Sequence, residues 1–459
     1  IKMDSGFPKN AIDALKEEYP HEFKNIDQVA VGCEYQSYAD LATKRYPNFK
    51  IRDFLVEEKN FWLPKMAGKN PDYLKVMSDY VDISKCHYPL DQIKNINDTS
   101  ELRELRKSFI SSYLDIPEGK IEFVDHHTCH AHHAYYSSPI RSNALIFTID
   151  GWGDHTNATV STIEKGNFNC VYRTEDFNLG RIYHFITLLL GMQPEQHEYK
   201  VMGLAAYAKE HYIEEPLKVF EKAYSIEGLE FKSLLNIQNH YQYFKENLEG
   251  YRFDAIAGAV QRFAEKTLCA WVSNWVSKTG LSNIVLSGGV SLNIKASKNI
   301  SELDEVSNIY ISLGAGDESL SVGAAQFTWN KYQDAKLLKP ITKPYLDLGF
   351  NENDTKLAIE HPFVKKKYNI TQGIEAKEIA KILSRGEIVA YMQGRMEFGP
   401  RALGNRSIIA SPMNPAIVQV INSVIKNRDF WMPFTPSILA ERAGDYIINP
   451  KNINAHYMT

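Results

Sequence analysis

Three apolar runs of this chain each end in a glycine-containing turn, and this repeated pattern limits the fold more than any other feature. The runs are Ala144–Ile149, Asn283–Leu286 and Asn308–Leu313, and they open onto Asp150-Gly151, Gly288-Gly289 and Gly314-Ala315-Gly316. A short apolar run bounded by glycine is typical of a buried strand, and a long helical pattern at Ala255–Lys278 separates the first two runs. The pattern predicts an α/β fold with ligands at strand ends. We expect Asp150-Gly151-Trp152-Gly153-Asp154 to form a tight hairpin with an Asp-Gly turn.

A second α/β unit is predicted near the carboxyl end. The 459 residues are enough for two cores. Lys336–Lys343 contains Pro340 and alternating lysines, and Pro344 follows directly, which is typical of a linker. After it we expect a helix at 374–384, a buried strand at 388–392, an arginine-containing loop to 406, a second buried strand at 407–410 and a helix at 416–425. The sequence therefore predicts domains at 1–335 and 346–459, joined by a linker at 336–345.

Charge and cysteine usage exclude several classes of protein. The formal net charge is -4, with 52 basic and 56 acidic residues, whereas general nucleic-acid or membrane-surface binders usually carry a basic excess. No apolar run approaches the length of a membrane span. The five cysteines form no CxxC pair, so we expect a reducing, cytoplasmic location with neither nucleic-acid nor membrane partners.

Histidines are concentrated in one short segment. Five of the 14 histidines fall between residues 126 and 133. In a helix, His126 and His130 share one face, so both imidazoles can reach one cation, with a carboxylate from elsewhere completing the site. A helix start with solvated histidines is the structural alternative. We predict metal binding by His126 and His130, with His127, His132 and His133 pointing elsewhere.

The glycine turns are candidate nucleotide contacts. Glycine removes the Cβ and lets backbone amides approach phosphates at Asp150-Gly151 and Gly153. Gly288 and Gly289, with Asn293, can pack beside an adenine or ribose for the same reason. Gly316-Asp317 places a carboxylate at a strand end. Their order along the chain is that of the second half of an actin-like ATPase.

An arginine-containing loop is the third candidate site. Arg395, Arg401 and Arg406 lie within twelve positions that are stiffened by glycine and proline. Guanidinium groups bind phosphate or carboxylate oxygens in bidentate fashion. Lys426 and Arg428 add charge after the next helix. We predict an anion pocket here, against the alternative of a purely structural arginine lattice.

Taken together, these motifs resemble the NodU/CmcH carbamoyltransferases. The resemblance rests on motifs that follow one another along nearly the whole chain: His126-His127-x-x-His130-Ala131, Val201-Met202-Gly203-Leu204-Ala205, Ser287-Gly288-Gly289-Val290-x-Leu292-Asn293, Gly316-Asp317-Glu318 and Gly394-Arg395-x-Glu397-x-Gly399-Pro400-Arg401-Ala402-Leu403-Gly404-x-Arg406-Ser407. The last motif is long and highly specific.

The resemblance implies an actin-like (ribonuclease H-like) ATPase domain followed by a YrdC-like α/β domain. It implies that carbamoyl phosphate and ATP are converted to carbamoyl adenylate, and that the carbamoyl group passes to a hydroxyl of a small molecule such as a sugar or antibiotic. The expected cofactors are ATP with Mg and a divalent metal, with Fe, Zn and Mn left open. A homodimer is a candidate assembly.

The resemblance also assigns roles to residues of this chain. The expected metal ligands are His126, His130, Asp317 and Asp150. The expected ATP or adenylate contacts are Asp150, Gly151, Gly153, Lys200, Gly288, Gly289, Val290, Asn293 and Gly316. The expected carbamoyl-phosphate contacts are Arg395, Arg401, Arg406, Lys426 and Arg428. The residues expected to act in catalysis are His126, His130 and Arg401.

Two alternatives and one expectation about the ends of the chain remain. The same chemistry could deliver a carbamoyl or threonylcarbamoyl group to a protein or tRNA, although the charge balance disfavours tRNA. A non-enzymatic actin-like nucleotide-binding protein would not need the arginine loop. We also expect an N-terminal strand hairpin before residue 1 to be missing, the phosphate cleft to be open on that side, and the second domain to be incomplete at its carboxyl end.

Overall fold

The computed structural model describes residues 6–455, 457 and 458. The chain forms two compact units. The first unit contains the described residues up to 340, together with 448–454, and the second contains 341–447, 455, 457 and 458. No helix among these described residues is both long enough and apolar enough to cross a bilayer.

Helices dominate the first unit. Its strands are β1 (Val29–Gly32), β2 (Ile121–Val124), β3 (Ala144–Gly153), β4 (Thr156–Glu164), β5 (Asn167–Thr174), β6 (Tyr224–Glu227), β7 (Glu230–Ser233), β8 (Asn283–Ser287) and β9 (Asn308–Ile311). Its α-helices are α1 (Lys9–Glu18), α2 (Pro20–Lys24), α3 (Tyr38–Thr43), α4 (Arg45–Asn48), α5 (Ile51–Glu57), α6 (Leu63–Met66), α7 (Tyr73–Val76), α8 (Thr99–Leu114), α9 (His126–Ser137), α10 (Leu179–Leu189), α11 (Glu198–Ala205), α12 (Glu210–Ala223), α13 (His240–Leu248), α14 (Phe253–Thr279), α15 (Ile294–Glu302) and α16 (Leu320–Tyr332).

A five-stranded sheet organises this unit, with the strand order β5-β4-β3-β8-β9. Strand β4 runs antiparallel to both of its neighbours, whereas β3, β8 and β9 are mutually parallel. Successive side chains of a strand face opposite sides. Phe147 accordingly packs on Trp271 of α14 with ring centroids 5.1 Å apart, while Thr148 contacts His127 of α9 on the other side. The sheet therefore contains both parallel and antiparallel strands, and helices pack on both of its faces, as in an α/β fold.

The hairpin turn between β3 and β4 corrects one expectation. Asp150-Gly151 does not form it, because β3 continues through a register shift to Gly153, which pairs with Thr156. The two turn residues are Asp154 and His155, with φ of 48° and 57°. Two consecutive positive φ values are characteristic of a type I′ turn, which matches the twist of paired strands. Asp150 is consequently a residue of the strand, at its irregular end.

Strand β1 pairs in parallel with β2, and these two strands form a separate sheet within the described residues. The apolar residues around it, including Leu41 and Phe123, belong to one buried cluster with α3 and α8. The N-terminal hairpin that we expected before residue 1 lies outside the described residues. The position of β2 matters for function because β2 leads directly into α9.

The second unit contains α17 (Glu352–Glu360), α18 (Pro362–Lys367), α19 (Ala376–Ser384), β10 (Ile388–Met392), β11 (Arg406–Ala410) and α20 (Ala416–Val420), followed by a π-helical turn at Ile421–Ile425. Strands β10 and β11 are antiparallel and, within the described part of the chain, form a sheet of two. We expected both to be buried strands, but their residues are half-buried or exposed. A two-stranded sheet leaves much of its faces uncovered, which explains the difference.

Candidate functional site

Helix α9 places the two predicted metal histidines on one face. Its first turn is capped by Asp125, whose Oδ1 accepts a hydrogen bond of 2.8 Å from the amide of Thr128. Arg173 of β5 holds the same carboxylate with two hydrogen bonds of 2.7 and 2.8 Å. This cap fixes where the helix begins. Because His126 and His130 are four residues apart, their rings meet with Nε2 atoms 3.1 Å apart.

Two carboxylates from the strand ends complete a four-residue cluster. His130 Nε2 lies 3.1 Å from Asp150 Oδ2 and 3.5 Å from Asp317 Oδ1, and His126 Nε2 lies 3.6 and 3.5 Å from the same atoms. All four ligand atoms lie within 4.8 Å of one another. Ligands about 2.0–2.2 Å from a shared ion must lie at such separations. The donor set of two imidazoles and two carboxylates therefore fits a divalent cation.

The charges of this cluster depend strongly on one another. Burial alone would lower the pKa of His126, but Asp317, Asp150 and Cys33 together raise it well above its usual value. Burial likewise opposes protonation of His130, and hydrogen bonds to Asp150 and Asp317 outweigh it, so its pKa is raised. The two histidines hold the pKa of Asp150 well below its ordinary range against the effect of burial. A divalent ion would replace these protons as the balancing positive charge.

The other three histidines of α9 have structural surroundings. His127 contacts the hydroxyl of Thr148 at 2.7 Å, and burial lowers its pKa to about 3. His133 contacts the carbonyl of Leu313 at 2.7 Å, and His132 stacks on Phe168 with ring centroids 4.4 Å apart. None of the three belongs to the four-residue cluster, and the structure places them as the sequence predicted.

The glycine turn after β8 lies against the same cluster. Gly289 donates its amide to Asp150 Oδ2 at 3.2 Å. Gly288 has a φ of 88°, and a Cβ there would lie 2.2 Å from the carbonyl oxygen of Ile149. No residue other than glycine can make this approach without moving the backbone. Because the carboxyl ends of β3, β8 and β9 meet at one edge of the sheet, the turn and the metal candidates are brought together there.

The other residues predicted for the nucleotide have mixed surroundings. Asn293 caps α15 through a 3.1 Å hydrogen bond from the amide of Ala296, and its side-chain amide pairs with that of Gln261. Gly316 directly precedes the short helical turn that carries Asp317. Val290 lies in the turn Gly289–Leu292, and Lys200 lies in α11. Gly151 donates its amide to the Asp150 carboxylate, and Gly153 packs on the ring of His126. Nucleotide contacts by these residues stay predictions.

A buried glutamate organises the arginine-containing loop between β10 and β11. Glu397 Oε1 accepts hydrogen bonds from the amides of Leu403, Asn405 and Arg406 at 2.8, 2.7 and 2.9 Å. Burial raises the pKa of Glu397, but these amides outweigh it and lower the pKa below its ordinary value. The side chain of Asn405 closes the loop further through a 2.7 Å bond to the carbonyl of Arg395. Hydrogen bonds between residues of the loop therefore stabilise its conformation.

The predicted anion-binding side chains are placed differently from one another. Arg406 donates to the carbonyls of Gln393, Gly394 and Asn405 at 2.7–3.0 Å, which is the structural arrangement considered as an alternative. Arg401 donates to the carbonyl of Tyr457 at 3.0 Å. The side chains at positions 395 and 426 are exposed, and the guanidinium at position 428 contacts the amide oxygen of Asn422 and lies over the ring of Phe434.

Sequence reasoning missed three residues that shape these sites. Cys33 Sγ lies 3.1 Å from Nδ1 of His126. Asp154 accepts the backbone amide of His126 at 2.7 Å, and Glu397 organises the arginine loop. Asp154 and Glu397 stand inside the motifs that were singled out, where a carboxylate among glycines could have indicated backbone amides to accept. No local signal connects Cys33 with His126, 93 positions away.

Comparison with known proteins identifies the family of this chain. The family described as Carbamoyltransferase N-terminus matches residues 1–326 of this chain, well over half of its length. The chain belongs to the carbamoyltransferase family. The Carbamoyltransferase C-terminus family matches residues 380–459, which include the arginine-containing loop. This carbamoyltransferase chain is therefore a member of a family of transferase enzymes, as its motifs predicted.

Relatives from several organisms cover between 71% and 96% of this carbamoyltransferase. An uncharacterized protein of Methanocaldococcus jannaschii is 29% identical across 96% of this chain and 76% of its own. An uncharacterized Synechocystis protein is 31% identical across 71% of this chain and 56% of its own. Nodulation protein NolO of Bradyrhizobium diazoefficiens is 28% identical across 71% of this chain and 60% of its own. The chain thus spans between about half and three quarters of these relatives.

Among solved structures, HypF of T. kodakarensis is similar to this chain with 13% identity and a TM-score of 0.32, over 52% of this chain and 40% of that one. Component A of the Acidaminococcus fermentans (R)-2-hydroxyglutaryl-CoA dehydratase is 16% identical with a TM-score of 0.31, over 51% of this chain and 82% of that one. Scores of this size carry no argument about the site.

Proposed function

We propose that this carbamoyltransferase forms carbamoyl adenylate from carbamoyl phosphate and ATP, and passes the carbamoyl group to a hydroxyl of a small molecule. The first unit would act as an actin-like nucleotide and metal domain, and the second as a YrdC-like domain that binds carbamoyl phosphate. The observation that carries the proposal is the cluster of His126, His130, Asp150 and Asp317 at the sheet edge where Gly288-Gly289 turns.

The arrangement of the sheet edge suits a nucleotide beside a metal. The Gly288-Gly289 turn presents backbone without side chains, so an adenine or ribose can pack closely against it. Asp150 touches both parts, because its carboxylate lies near the histidines and also accepts the amide of Gly289. A bound divalent ion would supply Lewis-acid polarisation of the carbamoyl carbonyl and an anchor for phosphate.

The proposed reaction balances in three steps. Water first hydrolyses carbamoyl phosphate to carbamate and inorganic phosphate, with release of a proton. A carbamate oxygen then attacks the α-phosphate of ATP, and pyrophosphate leaves. Finally the acceptor hydroxyl oxygen attacks the carbamoyl carbon, AMP leaves, and the hydroxyl proton is lost. The main roles of the protein are to bind the reactants and to exclude water from carbamoyl adenylate, since this mixed anhydride hydrolyses readily.

A metal-binding measurement tests the first half of the proposal. His130→Ala removes a proposed metal ligand. Loss of a residue that only hydrogen-bonds to a ligand typically weakens metal binding by roughly 10–100-fold, so His130→Ala should weaken Co²⁺ binding by more than this. The exposed His211 of α12 offers a matched control, and His211→Ala should bind Co²⁺ like the unmodified protein. Titration calorimetry measures both. Equal affinity in His130→Ala and His211→Ala would remove the metal assignment.

Steady-state kinetics test the arginine-containing loop. Arg401→Ala should raise the carbamoyl-phosphate concentration needed for half-maximal pyrophosphate release by roughly tenfold or more, because a charged hydrogen bond contributes about 1.5–3 kcal/mol. Arg385→Ala is the control, since this exposed arginine of the same unit pairs with Glu387 outside the loop. An unchanged dependence on carbamoyl phosphate in Arg401→Ala would contradict the assignment.

Product analysis tests the reaction as a whole. The protein, ATP and carbamoyl phosphate are incubated with a fraction of cellular small molecules, and mass spectrometry follows the gain of one carbamoyl group. We expect a hydroxylated product whose formation requires both ATP and carbamoyl phosphate. Carbamoylation that proceeds without ATP would argue against the adenylate route, even if the transfer itself occurs.

A further inference from the structure

The imidazole ring of His126 is contacted on its Nδ1 edge, which faces away from the other three residues of the cluster. Its Nε2 points into the four-residue cluster, and its Nδ1 lies 3.1 Å from the sulfur of Cys33. The ring edge also rests on Gly153, where a Cβ would lie 2.2 Å from His126 Cγ. Cysteine and glycine therefore confine the ring between the end of β1 and the end of β3.

The backbone around Cys33 is fixed for this contact. Cys33 directly follows β1 and has a φ of 73°, a conformation that costs free energy for residues other than glycine. Its amide donates to the carbonyl of Val124 at 2.9 Å, just before α9 begins. Side chains with this backbone strain persist where the surrounding structure holds them in place, as the contacts here do.

One carboxylate joins the segment after β1 to the start of α9. Asp154 Oδ2 accepts the amides of His126 at 2.7 Å and Glu34 at 2.8 Å, and its Oδ1 accepts the amide of Tyr35 at 2.8 Å. Asp154 itself is fixed in the hairpin turn between β3 and β4, with a φ of 48°. The segment that follows Cys33 and the first residue of α9 are thus both held by Asp154, at the end of the main sheet.

A histidine that binds a metal through Nε2 must carry its remaining proton on Nδ1, and the group that accepts this proton fixes the tautomer and the ring orientation. In most metal sites that group is a carboxylate, a backbone carbonyl or water. Here the neighbour of Nδ1 is a thiol sulfur, and Cys33 lies outside the set of four ligand atoms.

We propose that Cys33 is a positioning residue for the metal histidine His126, accepting its Nδ1–H so that Nε2 faces the ion, and that Asp154 holds both residues in register. This inference rests on the metal site of the proposed function. It assigns Cys33 no covalent or redox role and no direct bond to the ion.

Three substitutions at Cys33 separate the sulfur contact from the backbone strain. Cys33→Ala removes the acceptor and keeps the strain, whereas Cys33→Gly removes the acceptor and relieves it. Cys33→Ser keeps a side-chain acceptor. With Co²⁺ as the probe, we expect a loss of affinity of about tenfold or more in the alanine and glycine variants. The serine variant should stay within a few-fold of the unmodified protein.

The visible spectrum of bound Co²⁺ supplies a second readout. A ring free to turn should shift the d–d bands in Cys33→Ala and Cys33→Gly but leave them nearly unchanged in Cys33→Ser. Cys86→Ala is the control, since Cys86 is also half-buried and packs against the apolar cluster that contains Tyr38. Thermal unfolding of the metal-free variants confirms that each is folded.

The outcomes separate this inference from the metal proposal. If the unmodified protein binds no Co²⁺, the metal site itself is wrong and the role of Cys33 falls with it. If the unmodified protein binds Co²⁺ and both Cys33→Ala and Cys33→Gly match it in affinity and spectrum, the metal site stands and the positioning role is overturned. A loss in Cys33→Ala that Cys33→Gly restores would assign the effect to backbone strain and would also overturn it.

Discussion

At the scale of single residues, glycines decide how closely the helix of metal histidines approaches its neighbours. A Cβ at Gly323 of α16 would lie 1.9 Å from the carbonyl oxygen of Cys129 in α9. Real atoms do not approach so closely, so the two helices touch through backbone at this point. Since Cys129 directly precedes His130, the glycine of α16 contributes to the position of a predicted metal ligand.

Replacing this glycine should therefore destabilise the protein. Gly323→Ala would force α16 away from α9, and overpacking of this kind typically costs about 1–3 kcal/mol of the free energy of unfolding. Thermal or urea unfolding measures the change. Gly119→Ala is the control, because a Cβ at Gly119 meets nothing within 4 Å. A Gly323→Ala protein as stable as Gly119→Ala would show that the helices are not packed as described.

At the scale of elements, the arginine-containing loop depends on one buried carboxylate. Glu397 accepts three backbone amides with a single oxygen. Hydrogen bonds to a charged acceptor contribute more than those to a neutral one. Glu397 therefore stabilises the shape of the loop as much as its glycines and proline do. Of the three arginines in the loop, Arg406 also stabilises it, through its hydrogen bonds to loop carbonyls.

The pH dependence of this frame can be predicted in sign. Because the folded pKa of Glu397 is lowered, its contribution to stability is fully present above the ordinary pKa of a glutamate and is lost as the pH falls through the folded value. Glu397→Gln should lower the free energy of unfolding by about 1–2 kcal/mol at pH 7. The difference in free energy of unfolding between this variant and the unmodified protein should narrow as the pH falls below the ordinary pKa of a glutamate.

Urea unfolding of the unmodified protein and Glu397→Gln at several pH values tests this prediction. Glu387→Gln provides the comparison, because Glu387 is exposed and pairs with Arg385 at the surface of the same unit. A difference for Glu397→Gln that stays constant, or widens, towards low pH would mean that the carboxylate is not the group that holds the loop.

At the scale of the whole molecule, the two predicted ligand sites belong to different units. The histidine and aspartate cluster lies in the unit that contains the five-stranded sheet, and the arginine-containing loop lies in the unit that contains β10 and β11. A ligand that binds the folded state alone stabilises the part of the protein it contacts by mass action. Each ligand should accordingly protect a different part of the chain.

Hydrogen exchange followed by mass spectrometry makes this division measurable. Co²⁺ alone should slow exchange in peptides from α9 and from residues 312–320, and carbamoyl phosphate alone should slow it in peptides from residues 393–406. Peptides from α1, far from both in sequence, serve as the reference in each experiment. Protection by carbamoyl phosphate confined to α9 would place its site in the first unit and contradict the assignment of the arginines.

The sequence by itself determined those features that depend on neighbours along the chain. The spacing of His126 and His130 puts them on one face of any helix, and the apolar runs before Asp150, Gly288 and Asp317 predict the strands whose ends meet. The arginine-containing loop and its family were also recognisable, because a dense local motif carries its own information. The exposure of β10 and β11 was not predicted, since burial depends on what covers a sheet.

Only the tertiary structure decided which distant residues complete each site. Sequence periodicity does not show that β3 runs on past Asp150 and turns at Asp154, because a bulge depends on strand pairing across the sheet. Nor does it connect Cys33 with His126, since that contact exists only when β1 lies beside β2 and the loop after it meets the hairpin turn. Contacts between residues far apart in the chain are fixed by packing, and local patterns contain no record of them.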